Sequence, residues 1–239
     1  MSAAGLLWAV VPVKTIGDAK QRLSPLLLPA QRRALALAMV EDVLEALAAA
    51  TRLAGLIVVT IDPQARHLAR RYGARCIEEG ARDGHTGAVT AAARLLCAEG
   101  RAGMMTVPGD IPLVSADEIG RLVAAHRPAP SFTIAPAHDD RGSNAVLCSP
   151  PDAVPLRFGE DSFRPHLASA RALGIVPTVL RLPGIALDID NPADLASFAR
   201  LRSRTRTAAL LAEGAMLLPD FAAPHRPPAV IASEAKQSG

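Results

Sequence analysis

Short, almost uninterrupted apolar runs, separated by segments of helical character, constrain this chain more than any other feature. Residues 6–13 read LLWAVVPV, residues 55–61 read GLIVVTI and residues 104–107 read MMTV. Runs of that length without polar alternation suit strands covered by helices on both faces. Between them, Pro29 opens a helical stretch rich in Ala and Leu through residue 50, with proline at the first helical position. Asp62 and Pro63 form the cap and first position of a helix ending near Gly73, and residues 75–78 give a short strand. Residues 86–99 read as a helix stopped by Gly100, and Ser115 with Glu118 forms a capping box for a helix reaching about His126.

Farther along, residues 132–136 and 144–148 read as strands flanking the polar turn 138–142. Asp161 or Ser162 caps a helix to about Leu173, residues 176–182 and 185–189 read as two more strands, and Asn191 with Pro192 starts a last helix through about Leu201. This alternation predicts a three-layer α/β fold with a mainly parallel mixed sheet, right-handed connections and ligands bound beyond the carboxyl ends of the strands. Residues 1–202 read as one domain. Residues 203–239 read as an appended, partly disordered tail whose apolar patch AALLAEGAMLL could form a short docked helix.

Composition narrows the function classes. The 26 basic and 23 acidic residues leave a net charge of only +3, too balanced to argue for nucleic acid. No apolar stretch is long enough for a membrane span. Cys76, Cys97 and Cys148 lack metal-ligand spacing and read as small core residues of a reduced, cytoplasmic protein. A homodimer is compatible with all of this. Of the 26 basic residues only Lys14, Lys20 and Lys236 are lysine, and two of these directly follow the first apolar run. A compact ammonium is a common phosphate ligand.

There is no GxxxxGK[ST], no GxGxxG after the first strand and no GxSxG, which argues against P-loop ATPases, Rossmann dehydrogenases and serine hydrolases. The chemistry-bearing residues stand instead at the ends of apolar runs. Lys14, Lys20 and Arg22 in PVKTIGDAKQRL can bring three cations to a polyphosphate, with Gly17 allowing an unusual backbone path. Asp110, in VPGDIPLV, is a carboxylate fixed between two prolines and suited to a hard cation such as Mg²⁺, or alternatively to capping its own turn. In LDIDNPADL, Asp188 and Asp190 share one face of an extended segment while Ile189 packs behind. Two adjacent carboxylates repel and favour a divalent cation between them; the alternative gives Asp190 or Asn191 to a helix cap and Asp188 to solvent. Ser143, Asn144 and Ser162, beside Gly142 and Gly159, are short donors suited to an anion or to ordinary turns. His85 could touch a ligand, but it, His138 and His166 read as caps or surface residues.

Taken in order, PVKTIGDAKQRL, VPGDIPLV, DRGSNAVL, RFGEDSF and LDIDNPADL resemble the 2-phospho-L-lactate guanylyltransferases of deazaflavin coenzyme (F420) assembly, over about residues 7–201. The resemblance implies a Rossmann-like nucleotidyltransferase fold of the nucleotide-diphospho-sugar transferase type. It implies an enzyme that uses GTP and Mg²⁺ to join GMP to a phosphorylated three-carbon acid, with release of diphosphate. The acid is 2-phospho-L-lactate, phosphoenolpyruvate or 3-phospho-D-glycerate. Under this resemblance Asp110, Asp188 and Asp190 are the metal carboxylates, and Lys14 and Lys20 act beside Asp110 in catalysis as phosphate-side cations. Arg22 and Gly109 are further nucleotide contacts, and Ser143, Gly159 and Ser162 bind the acceptor. Ser143 stands where the family commonly has Thr, and GHTGAV (residues 84–89) lacks an Asn often found before its helix, with Gly87 near that place. The rival readings are a molybdopterin-type nucleotidyltransferase, a sugar-nucleotide glycosyltransferase and a noncatalytic nucleotide-binding homologue.

Overall fold

Seven strands form one sheet in the order β3-β2-β1-β4-β6-β5-β7, in a computed structural model that describes residues 7–214. The strands are β1 (Leu7–Pro12), β2 (Gly55–Val59), β3 (Arg75–Ile77), β4 (Gly103–Thr106), β5 (Ser131–Pro136), β6 (Ser143–Ser149) and β7 (Thr178–Val179). The helices are α1 (Pro29–Ala49), α2 (Pro63–Arg71), α3 (Gly84–Ala98), α4 (Ala116–Ala125), α5 (Phe163–Ala172), α6 (Pro183–Ala186), α7 (Pro192–Ala199) and α8 (Arg206–Gly214). β1 pairs in parallel with β2 and β4, β2 with β3, and β5 with β7. β6 alone runs the other way, antiparallel to both β4 and β5. The sheet is therefore mainly parallel and mixed, as the alternating pattern implies.

Strand periodicity sorts the core into two layers. Leu7, Ala9 and Val11 of β1 face α1, α2 and α4, where they meet Val43, Ala65 and Leu122; Val10 faces α3 on the other side, against Val89 and Leu96. α5 extends that second layer over β5 and β6 through Phe163 and Ala170. Both faces are dry, which is why the strands read as continuous apolar runs rather than as alternation.

The connections account for where the sheet opens. Because β6 is reversed, its first residue, Ser143, lies at the same edge of the sheet as the carboxyl ends of β1 and β4. The turn that joins β5 to β6 closes with Ala137 N–H donating to the Gly142 carbonyl and Asp140 in the left-handed region at φ 57°. One edge of the sheet thus gathers the loops after β1 and β4, the β5–β6 turn and the segment before α7.

Two expected strands are mostly absent. Residues 176–182 contribute only the two-residue β7, and residues 185–189 contribute no strand: Pro183 starts the short turn α6, followed by extended chain outside the sheet. The backbone there is committed elsewhere. Gly184 N–H donates to Glu118 Oε1 at 2.8 Å, and a Cβ on Gly184 would lie 2.3 Å from the Leu113 carbonyl oxygen. The same contact leaves the box at the start of α4 half made: Ser115 Oγ accepts from Glu118 N–H, while the Glu118 carboxylate serves α6.

The described part of the tail, α8, docks on α1. Asp42, buried within α1, accepts from Arg206 N–H at 2.8 Å, Thr207 N–H at 3.0 Å and Thr207 Oγ1–H at 2.6 Å. Residues 215–239, the remainder of the expected appendage, lie outside the described residues. Replacing Asp42 by Ala strands buried donors, which costs about 2–3 kcal/mol. A melting temperature lower by about 5–10 °C is the expected result. Calorimetry checks it, and turnover below the transition should be retained because Asp42 lies away from the open edge of the sheet.

Candidate active site

A cleft of about 1400 Å³ lies along that edge and is lined by every residue to which the family resemblance assigns a role: Lys14, Lys20, Arg22, Gly109, Asp110, Ser143, Gly159, Ser162, Asp188 and Asp190. The loop after β1 enters it through two short 3₁₀ turns, Ile16–Asp18 and Gln21–Leu23. Asp62 ties this loop down: one carboxylate oxygen caps α2 through Gln64 and Ala65 N–H, and the other accepts from Ile16 N–H at 2.9 Å. The unusual backbone sits at Lys20, with φ 56° and ψ 42°, and not at Gly17. A left-handed conformation at a residue with a Cβ costs about 1–2 kcal/mol, so something must hold Lys20 there.

Two carboxylates do. Lys20 Nζ donates to Asp110 Oδ2 at 2.6 Å and to Asp190 Oδ1 at 2.7 Å, with the lysine side chain only 9% exposed. Burial alone would lower the Lys20 pKa, but Asp110 and Asp190 together raise it above 10.5, so the group is charged. An ammonium carries three donors, and these ion pairs use two. Lys14, by contrast, is exposed and has no ion pair among the described residues. Arg22 is also exposed and reaches Glu160 at 3.3 Å, a solvated pair of small energetic weight.

The three carboxylates come together through one backbone bond. Ile189 N–H donates to the Asp110 carbonyl at 3.0 Å, which lays residues 188–190 beside the loop after β4 even though they form no strand. Ile189 is fully buried behind them, as the extended spacing predicts. Neither ordinary capping role is taken by the key aspartates. Asn191 caps α7 through Ala193 and Asp194 N–H, and Asp194 accepts from Asp190 and Asn191 N–H, so the Asp190 side chain is left for Lys20. Asp188 accepts from Asn144 Nδ2 at 3.0 Å. Burial raises the Asp188 pKa above 3.8; the Asn144 bond opposes that shift, and Asp110 and Asp190 add to it.

Asp110 Oδ1 is buried and has no partner among the described residues, and three carboxylates against one ammonium leave negative charge uncompensated. That donor chemistry fits a hard divalent cation. The arrangement differs from the expected one, in which the carboxylates meet a metal and Lys20 meets phosphate, because Lys20 Nζ bridges Asp110 and Asp190. Among the described residues no group of three His, Cys, Asp or Glu side chains has a geometry ready to hold a metal ion.

In the same cleft, Ser143 and Ser162 are buried and hydrogen-bonded to each other at 3.1 Å. Ser162 precedes α5 but makes no side-chain cap; its hydroxyl is turned to Ser143 instead. His166, expected at the surface or as a cap, is only 1% exposed and bonds Ser143 Oγ through Nδ1 at 3.0 Å. The available signal was its spacing, four residues after Ser162 on one helical face. His85 also lines the cleft, stacked on Phe158 with ring centroids 4.2 Å apart. Burial, offset partly by Asp110 and reinforced by Lys14, pulls the His85 pKa down to about 4. At Gly87 a Cβ would lie 2.3 Å from Asp83 Cβ, so this position has no room for the side chain of the Asn expected near it.

Comparison with known proteins decides the family. The family described as "Guanylyl transferase CofC like" matches residues 7–212, nearly the whole described chain. This chain belongs to that family. A phosphoenolpyruvate guanylyltransferase of Sphaerobacter thermophilus is 40% identical over 198 residues, covering 80% of this chain and 91% of that one. A 3-phospho-D-glycerate guanylyltransferase of Colwellia psychrerythraea is 38% identical over 194 residues, covering 81% and 91%. Among solved structures, one described as a nucleotide-diphospho-sugar transferase of Desulfovibrio desulfuricans superposes with a TM-score of 0.71 at 19% identity, covering 92% of this chain and 99% of that one. A 4-diphosphocytidyl-2C-methyl-D-erythritol synthase gives 0.57 at 14% identity, covering 86% and 98%. The CofC-like protein is thus a nucleotidyltransferase enzyme with the nucleotide-diphospho-sugar transferase type of fold.

Proposed function

We propose that this CofC-like enzyme transfers GMP from GTP to a phosphorylated three-carbon acid in deazaflavin coenzyme assembly, releasing diphosphate. The observation that carries this reading is that one cleft is lined both by the cluster of Lys20, Asp110, Asp188 and Asp190 and by the Ser143–Ser162 hydroxyl pair. The names of its relatives supply the substrate class: phosphoenolpyruvate for one and 3-phospho-D-glycerate for another.

The obstacle is mutual repulsion between two anions, the acceptor phosphate and the α-phosphate of GTP. An oxygen of the acceptor phosphate attacks the α-phosphorus, a new P–O bond forms, and the bond to the departing diphosphate breaks. That oxygen is ionised at neutral pH, so no general base is required and the rate rests on positioning and electrostatics. Lys14, exposed and without an ion pair among the described residues, can meet the triphosphate, and Lys20 presents its third N–H from a fixed ammonium. Ser143 and Ser162 orient the acid. Mg²⁺, held by Asp110, Asp188 and Asp190, would supply additional charge neutralisation for the phosphates.

Among the described residues no helix is long and apolar enough to cross a membrane, and a cytoplasmic site of action accords with three unpaired thiols. The deciding experiment is mass spectrometry of products from GTP, Mg²⁺ and the three acids in competition. One guanosine diphospho-acid with stoichiometric diphosphate is expected. GTP binding without turnover on any of them would move the protein to a noncatalytic role, and a product formed from CTP or a sugar nucleotide instead would reassign the reaction.

A further inference from the structure

His166 makes two hydrogen bonds whose directions fix its protonation. Arg157 N–H lies 2.9 Å from Nε2, and an amide can only donate, so Nε2 carries the lone pair. The proton of the neutral ring is therefore on Nδ1, which faces Ser143 Oγ at 3.0 Å and donates to it. Ser162 Oγ–H donates to the same oxygen at 3.1 Å. A serine oxygen has two acceptor sites, and both are now filled. Its own proton is left with no acceptor among the described residues, and Ser143 lines the cleft.

Packing supports this single arrangement. His166 is 1% exposed, with its ring edge-on to Phe158 at 5.2 Å. Burial, and secondarily His85, pulls its pKa down to about 4, so the neutral ring is the form present at pH 7.

We infer that His166 is a positioning residue: through Nδ1–H it holds the Ser143 hydroxyl with its proton turned into the cleft, as a donor to the anionic acceptor acid. This rests on the reading of the cleft as an acceptor site given above and adds a residue and a tautomer to it. The competing role for His166 is purely structural, since its Nε2 anchors Arg157 in the loop that also carries Gly159 and whose Phe158 N–H donates to Thr86 Oγ1 at 3.0 Å.

The two roles use different nitrogens and can be separated. His166→Asn places an amide donor near Nδ1, whereas His166→Gln places an acceptor near Nε2; His166→Phe keeps the ring and loses both. Steady-state kinetics would be measured with phosphoenolpyruvate, 3-phospho-D-glycerate and 2-phospho-L-lactate, varying each acid and GTP separately. His166→Phe should raise the KM of the accepted acid about ten- to a hundredfold with little change in the KM of GTP. His166→Asn should recover most of that loss and His166→Gln little. In a Ser143→Ala background, His166→Phe should add nothing further. Rescue by Gln instead of Asn, equal effects on both substrates, or full additivity with Ser143→Ala would overturn the inference. Long-range ¹H–¹⁵N NMR on the wild-type imidazole decides the tautomer whether or not the variants fold: a proton on Nδ1 supports the inference and a proton on Nε2 sinks it. A wild-type enzyme that turns over none of the three acids would refute the functional reading, while the NMR result would still judge His166.

Discussion

Replacing Asp110 or Asp188 by Asn is expected to slow diphosphate release by roughly a thousandfold or more, because each removes a negative donor from the point where phosphate charge must be balanced. The two variants should part company in stability, which separates a catalytic loss from a folding one. Asp110 accepts from the nearly buried Lys20 ammonium, so Asp110→Asn weakens an ion pair, leaving Lys20 with Asp190. A cost of about 1 kcal/mol, or about 2–4 °C in melting temperature, is reasonable for a partly exposed pair that keeps an amide acceptor. Asp188 behaves in the opposite sense. Folding raises its pKa, chiefly by burial. A carboxyl raised in the folded state favours folding at pH below its ordinary value near 3.8, and that advantage is lost as pH rises through the folded value. At pH 7 its ionised form therefore opposes folding, and Asp188→Asn should match or exceed the wild-type melting temperature while losing turnover. Diphosphate release and calorimetry at pH 7 test both statements. Near-normal turnover in both variants would remove the carboxylates from the reaction.

The strands that place these groups were legible because their function is burial: β1, β2 and β4 have two dry faces and so carry uninterrupted apolar residues. The segment holding Asp188 and Asp190 was legible in its side chains and not in its backbone. Its alternation of aspartate with isoleucine marks an extended chain with one wet and one dry face, and Ile189 packs as that pattern requires. What ties it down is a single bond to the Asp110 carbonyl, a contact across 79 positions that no local pattern encodes. Glycine adopts special backbone geometry without cost, so the sequence alone points to Gly17 as the place for it. The chain puts that geometry at Lys20 instead, where two distant carboxylates hold it. The role of His166 is not legible in the sequence for a related reason: its partners, Ser143 and the Arg157 amide, come from other elements, and a histidine in isolation looks the same in a core as on a surface.

Lys20 joins both themes, and its removal should affect folding and chemistry together. Lys20→Ala leaves Asp110, Asp188 and Asp190 facing one another without the intervening ammonium, and turnover is expected to fall by about 10²–10³ through loss of that charge. Stability should fall by about 2–3 kcal/mol, less than for a fully buried pair because Asp190 is 45% exposed. That corresponds to about 5–10 °C in melting temperature. Lys20→Gly separates the backbone from the charge. It removes the same ammonium but relieves the left-handed strain, so it should melt about 2–4 °C above Lys20→Ala after allowing for the freer unfolded chain, with turnover equally low. The pH dependence has a definite sign. A lysine whose pKa is raised on folding stabilises fully below its ordinary value of 10.5 and loses that contribution as pH rises through the folded value. The difference in melting temperature between wild type and Lys20→Ala should therefore stay constant from pH 7 to about 9 and narrow only above about 10.5. If the gap closed near pH 8, the buried ammonium could not be what holds the carboxylates together, and the electrostatic account of this cleft would fail with it.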